Sequence, residues 1–221
     1  MSKIRILCFG DSLTWGYNPD THTRYSEDER WTGLLQQRLG EKYTVVEEGQ
    51  NGRTIATDDP AEGEKNGLTY ITPCLESQSP FSVVIIMLGT NDLKRKFNYS
   101  SMDVAGEMEI LIKRIKSYIH FSMNDTASIL LVSPPYIGPD IRTSWLGDSF
   151  GYERAREVSI ELANWYKMLA KRYDCAFLDA AMITEVSESD SCHLSLEGNK
   201  LIAEAIFLKL QELLTEEEIH E

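Results

Sequence analysis

Basic residues are in short supply: 22 Lys and Arg stand against 35 Asp and Glu, a formal net charge of −13 at pH 7. Nucleic-acid binding requires dense neutralisation of phosphates, so this balance argues against it and favours an uncharged small-molecule ligand. Cysteine is scarce and scattered. Cys8, Cys74, Cys175 and Cys192 form no CxxC pair, which argues against both a zinc site and a disulfide framework. There is no HExxH, no histidine pair at helical spacing and no GxxxxGK loop, so neither metal nor cofactor is expected. No stretch approaches the roughly 18 apolar residues of a membrane span. The opening MSKIRILCFGDS has an apolar run too short for a signal h-region and lacks a small-residue cleavage site, so the expected location is the cytoplasm, away from membranes. In that setting the Asn98-Tyr99-Ser100 sequon is a chance match. Internal repeats, low-complexity tracts and linkers are also missing.

What is present is ordinary globular material. Hydrophobic residues make up 42% of the 221, aromatics 10% and charged residues 26%, enough for a substantial core in one domain, expected over residues 1–214 with an acidic tail at 215–221. Apolar runs bounded by turn residues recur at Ile4 to Phe9, Tyr43 to Val46, Val83 to Leu88, Ile129 to Val132 and Cys175 to Leu178, and read as buried strands. Helical spacing separates them: Trp31, Leu34, Leu35, Leu39; Val104, Met108, Leu111, Ile115, Ile119; and Val158, Leu162, Trp165, Leu169. A last helix is expected after Ser195 as N-cap, through Ile202, Ile206, Leu210 and Leu213. The alternation predicts a three-layer α/β/α sandwich around a mostly parallel five-stranded sheet, with ligands bound beyond the carboxyl ends of its strands. Two segments, Gly49 to Pro80 and Pro134 to Gly151, are too long for tight connections and are expected to shape a site or an interface.

The strand ends carry the chemistry. The first strand runs into Gly10-Asp11-Ser12-Leu13-Thr14-Trp15-Gly16, which puts Ser12 where a nucleophile is well placed, although the same run is also an ordinary turn. A serine needs a base, and only His22, His120, His193 and His220 are available. His193 is the best placed, in the loop before the last helix and three residues after Asp190, whose carboxylate can accept Nδ1–H and fix the tautomer. Alone, that pair is equally an ordinary polar loop. After the third strand, Gly89-Thr90-Asn91-Asp92 offers the Asn91 amide to a developing oxyanion, and after the second, Gly52 offers a backbone N–H. Asp11 and Asp92 read first as turn-holding carboxylates, with Asp11 also a candidate substrate contact. Trp15, Leu93, Ile137, Trp145 and Phe150 are candidate walls of an acyl or leaving-group pocket.

Together these blocks, GDSLTWG at Gly10 to Gly16, the Gly52 loop, GTND at Gly89 to Asp92 and DSCH at Asp190 to His193, resemble the GDSL or SGNH hydrolase family, over nearly the whole domain. RWTGLL at Arg30 to Leu35, VVEEGQNGRT, DDP and LLVSPP narrow the resemblance to its arylesterase and acyltransferase branch, with acetyl-xylan esterase relatives. Some members of that branch have Ala where this chain has Gly52, which still leaves a backbone donor. The resemblance implies a flavodoxin-like fold, Ser12 as nucleophile, His193 as general base and acid, Asp190 as its orienting carboxylate, and an oxyanion hole from the Ser12 N–H, the Gly52 N–H and the Asn91 side chain. It also implies short-chain, above all acetyl, esters as substrates and acyl transfer to alcohols in assemblies that enclose the site. A homo-oligomer is expected, through the Pro134 to Gly151 segment. Deacetylation of xylan or oligosaccharides, thioesterase or lysophospholipase activity, and silent ligand binding are the alternatives.

Overall fold

In the computed structural model, which describes residues 3–214, strands and helices alternate. In chain order they are β1 (Ile4–Gly10), α1 (Ser12–Trp15), β2 (Tyr17–Asn18), β3 (Thr23–Arg24), α2 (Trp31–Leu39), β4 (Tyr43–Gly49), α3 (Gly67–Gln78), β5 (Val83–Met87), α4 (Ser101–Met123), β6 (Ser128–Ser133), α5 (Gly147–Phe150), α6 (Glu153–Arg172), β7 (Ala176–Asp179) and α7 (Leu196–Leu213). The acidic tail and His220 lie outside the described residues.

Five strands form one parallel sheet in the order β4-β1-β5-β6-β7, as the alternation predicts. Side chains leave a strand on alternate faces, and β1 uses both. Leu7 and Phe9 join the core made with α3, α4 and α6, whereas Ile6 and Cys8 join the core made with α2 and α7. Register decides where the chemistry sits. Gly10 at the end of β1 pairs with Gly49 of β4 and with Met87 of β5, so three strands stop level with one another. Among the described residues no helix is long and apolar enough to cross a membrane.

Two elements depart from the sequence reading. Gly49 to Pro80 was expected to be connecting chain, yet it holds α3, with Pro73 inside it. Asn66 caps this helix through Leu68 N–H and Thr69 N–H, and Ile71, Cys74 and Leu75 bury a helical stripe that outweighs the proline. The short β2–β3 hairpin has only two residue pairs and no periodic signal to read.

One cap is tertiary. Helix α2 has no side-chain cap from its own N-cap residue, Arg30. Instead Trp31 N–H donates to Asn199 Oδ1 of α7 at 3.0 Å, while the Trp31 indole Nε1–H donates to the Leu13 carbonyl at 3.0 Å. Asn199 is itself held by Ser195, whose hydroxyl caps α7 at Gly198 N–H, as expected from the sequence. Replacing Asn199 by Ala strands a buried helix N–H. The expected loss is about 1–3 kcal/mol of stability, read as a lowered urea midpoint at unchanged slope.

Candidate active site

Glycine lets the chain turn sharply at the end of β1. A Cβ on Gly10 would stand 2.8 Å from the Met87 carbonyl oxygen and 2.0 Å from Thr14 Oγ1, closer than any side chain tolerates. Asp11 then caps the single turn α1 by accepting Leu13 N–H at 2.9 Å, and Gly16, at φ +86°, ends it in the left-handed region. Ser12 opens that turn and is 6% exposed.

The loop before α7 brings the histidine. His193 Nε2 lies 2.9 Å from Ser12 Oγ, across 181 residues of chain, and His193 Nδ1 lies 2.5 Å from Asp190 Oδ2. The other Asp190 oxygen accepts the N–H groups of Cys192 and His193 at 3.0 and 2.9 Å. Asp190 is fully buried, which raises its pKa, but the His193 hydrogen bond and charge and these two N–H donors outweigh burial and hold it below its ordinary value. The Tyr17 ring packs against His193 with centroids 4.3 Å apart and the planes tilted by 36°, and its hydroxyl meets His22 Nδ1 at 2.8 Å. Ser189 also bonds Asp20, so the β2–β3 hairpin is tied to this loop at two points.

The neighbouring strand ends complete the site. Beyond β5, Asn91 opens a short 3-10 turn, and its Nδ2 donates to the Arg53 carbonyl at 3.1 Å and approaches Asp11 Oδ2 at 3.5 Å. Beyond β4, Gly52 sits at φ +81°. Arg53, behind it, is buried, donates to the Gly10 carbonyl at 2.8 Å and stacks on Phe9 at 4.3 Å. Ser12, Gly52, Asn91 and His193 all line one cavity of about 250 Å³.

Other predicted wall residues fall elsewhere. Trp145 and Phe150 do line the cavity, from the Pro134 to Gly151 segment, but Trp15, Asp11, Leu93 and Ile137 do not. Leu93 and Ile137 are buried in the core under α4 and α6. Trp15 ends α1 beneath Arg24, whose guanidinium lies 5.3 Å from its ring. Asp11 is consumed as the cap of α1, the turn-holding role read from the sequence. Tyr17, Glu62 and Lys94 line the cavity and were missed. Tyr17 directly follows the GDSLTWG block and Lys94 lies two residues after the GTND block, the one signal that pointed to them.

Buried carboxyls surround Ser12 with different charge. Burial pushes Asp11 up to about 6, against the Leu13 N–H, His193 and Arg53. Burial also drives Asp92 well up, reinforced by neighbouring Glu107, while its Oδ1 accepts Ile55 N–H at 3.0 Å.

Residues 8–201 match the model of the GDSL-like lipase/acylhydrolase family. The chain belongs to that family, and so to the carboxylic ester hydrolases. The aryl esterase of M. smegmatis superposes with a TM-score of 0.88 at 36% identity, over 96% of this chain and all of that one. A carbohydrate acetylesterase from Sinorhizobium meliloti superposes with a TM-score of 0.89 at 36% identity, over 96% and 100%. An acetylxylan esterase of Xylanibacter ruminicola is 26% identical over 92% of this chain, which spans 42% of that enzyme's length.

The raised Asp11 has a calculable effect on this GDSL-family enzyme. Folded Asp11 keeps its proton to about pH 6, whereas an unfolded aspartate loses it near 3.8. Between those values the folded state binds more protons, so the Asp11 contribution falls as pH rises, by roughly 3 kcal/mol in full. Urea unfolding across pH 4 to 6 should therefore show Asp11→Asn gaining stability relative to wild type as pH increases. A constant difference would contradict this titration.

Proposed function

We propose that the protein is a serine esterase for short-chain, chiefly acetyl, esters. The observation that carries this reading is the Ser12–His193–Asp190 hydrogen-bond chain, 2.9 and 2.5 Å long, opening on a cavity of about 250 Å³. Ser12 Oγ attacks the ester carbonyl carbon as its proton passes to His193 Nε2, and Asp190 stabilises the imidazolium from the Nδ1 side. The oxyanion forms against the Ser12 N–H, the Gly52 N–H and the Asn91 amide. The Arg53 carbonyl holds Asn91 through one N–H, and the 3.5 Å approach to Asp11 is long, which leaves the second N–H for the oxyanion. Collapse expels the alcohol, protonated by His193, and leaves an acyl group on Ser12. Water, activated by the same imidazole, or a second alcohol then takes the acyl group.

Space supports a small acyl group. The cavity falls below the roughly 300–1,000 Å³ of pockets for drug-sized ligands, and Tyr17 and Phe150 wall it. The acetyl-ester names of the S. meliloti and X. ruminicola enzymes support the same choice.

Trp145, 60% exposed at the cavity mouth, supports association of copies through the Pro134 to Gly151 segment, since contact would cover its ring. Sedimentation velocity should give an oligomer that Trp145→Ser weakens, and a wild-type monomer would overturn this part. For the chemistry, p-nitrophenyl acetate should be cleaved faster than the butyrate and octanoate esters. Ser12→Ala should lower kcat by about four decades and Asn91→Ala by about two to three. Activity that survives in folded Ser12→Ala would remove the nucleophile assignment.

A further inference from the structure

One side of the cavity carries charge that the hydrolytic steps do not use. Lys94 follows Asn91 on the same 3-10 turn, its backbone N–H donating to the Asn91 carbonyl at 3.2 Å, so the turn that aims the amide also aims this lysine. The Lys94 side chain is only 7% exposed, and its ammonium meets Glu62 Oε1 at 2.8 Å. Of its three N–H donors Glu62 takes one, and Asp59, 3.8 Å away, is beyond hydrogen-bond length and faces Lys96 at 2.5 Å. Glu62 lies against the Gly52 backbone: a Cβ there would stand 2.7 Å from Glu62 Oε2. The Lys94 hydrogen bond holds the Glu62 carboxyl below its ordinary value, so the pair is ionic.

We propose that Glu62 and Lys94 form the subsite for the alcohol part of the ester, and that this alcohol carries further hydroxyl groups, as a sugar or polyol does. The inference rests on the short-chain serine esterase reading, because the one polar atom of an acetyl group, its carbonyl oxygen, is taken up by the oxyanion donors and leaves nothing for the pair to engage. An apolar alcohol would desolvate two charges and return nothing. An anionic group would meet the Glu62 carboxylate and a cationic one the Lys94 ammonium. A neutral alcohol with adjacent hydroxyls satisfies both partners, donating to Glu62 and accepting from Lys94, with Tyr17 and Phe150 supplying apolar walls.

The test compares p-nitrophenyl acetate with the 2-O-acetate of methyl β-xyloside, using wild type and the double variant Lys94→Met/Glu62→Leu. Removing both charges together leaves neither of the two unpaired, and Lys65, which also meets Glu62 at 3.3 Å, keeps a side chain 26% exposed to water. The ratio of kcat/KM for the acetylated xyloside to that for p-nitrophenyl acetate should fall at least about tenfold. A ratio within about twofold of wild type overturns the subsite, and a parallel loss on both esters makes the pair a brace for the Gly52 loop. Methyl β-xyloside should also inhibit wild-type cleavage of p-nitrophenyl acetate at a concentration at least about tenfold below cyclohexanol. The reverse order overturns the proposal even if the double variant does not fold. Wild type that cleaves p-nitrophenyl acetate through Ser12 but ignores the acetylated xyloside refutes this inference alone, whereas wild type inactive on both refutes the esterase reading beneath it.

Discussion

Two hydrogen bonds from Trp31 hold together the halves of the site. Ser12 follows β1, one strand in from an edge of the sheet, and His193 follows β7 at the opposite edge, so strand pairing alone does not set the gap between their side chains. Trp31 does so from α2. Its backbone N–H engages Asn199 near the start of α7, and its indole N–H engages the Leu13 carbonyl beside Ser12. Both bonds are buried, where neither group can exchange its partner for water without penalty, so the distance between the two loops is strongly constrained. The Tyr17 ring contact and the Asp20–Ser189 bond brace the histidine loop from the outer side.

Three aspartates with no solvent exposure surround Ser12, and their environments separate them. Asp190 has two backbone N–H donors and an imidazole, which overcome burial and keep it charged. Asp11 has one backbone donor and a distant amide, and Asp92 has one backbone donor and a carboxyl neighbour, so burial dominates in both. One residue type thus supplies a charged partner for His193 and two groups that hold protons longer than a free aspartate. The net result limits negative charge where an oxyanion is proposed to form.

Much of this architecture was legible from residue order. Buried parallel strands read as unbroken apolar runs, and all five were found; helices with regular apolar spacing, α2, α4, α6 and α7, were found as well. Helix α3 was missed because Pro73 and its Gly- and Thr-rich surroundings argue locally for loop, while the burial of Ile71, Cys74 and Leu75 that decides for helix is tertiary. Leu93 and Ile137 were misjudged for a related reason. Each sits near a strand end, but whether its side chain turns into the core or the cavity depends on a short turn whose dihedrals carry no periodic signature.

By itself the sequence determined the layer order, the strand ends at which function collects, and the short set of residues able to act as nucleophile, base, orienter and oxyanion donor. These follow from local rules: apolar periodicity, glycine at sharp turns, and the few side chains whose chemistry suits acyl transfer. Tertiary structure alone decided that Ser12 and His193 meet at hydrogen-bond distance, that Lys94 and Glu62 pair beside Gly52, and that Leu93 and Ile137 turn into the core instead of the cavity. Those outcomes depend on strand register and on how α2 and α7 pack beneath the sheet. Such distances are set by contacts between segments far apart in the chain, which no local pattern encodes.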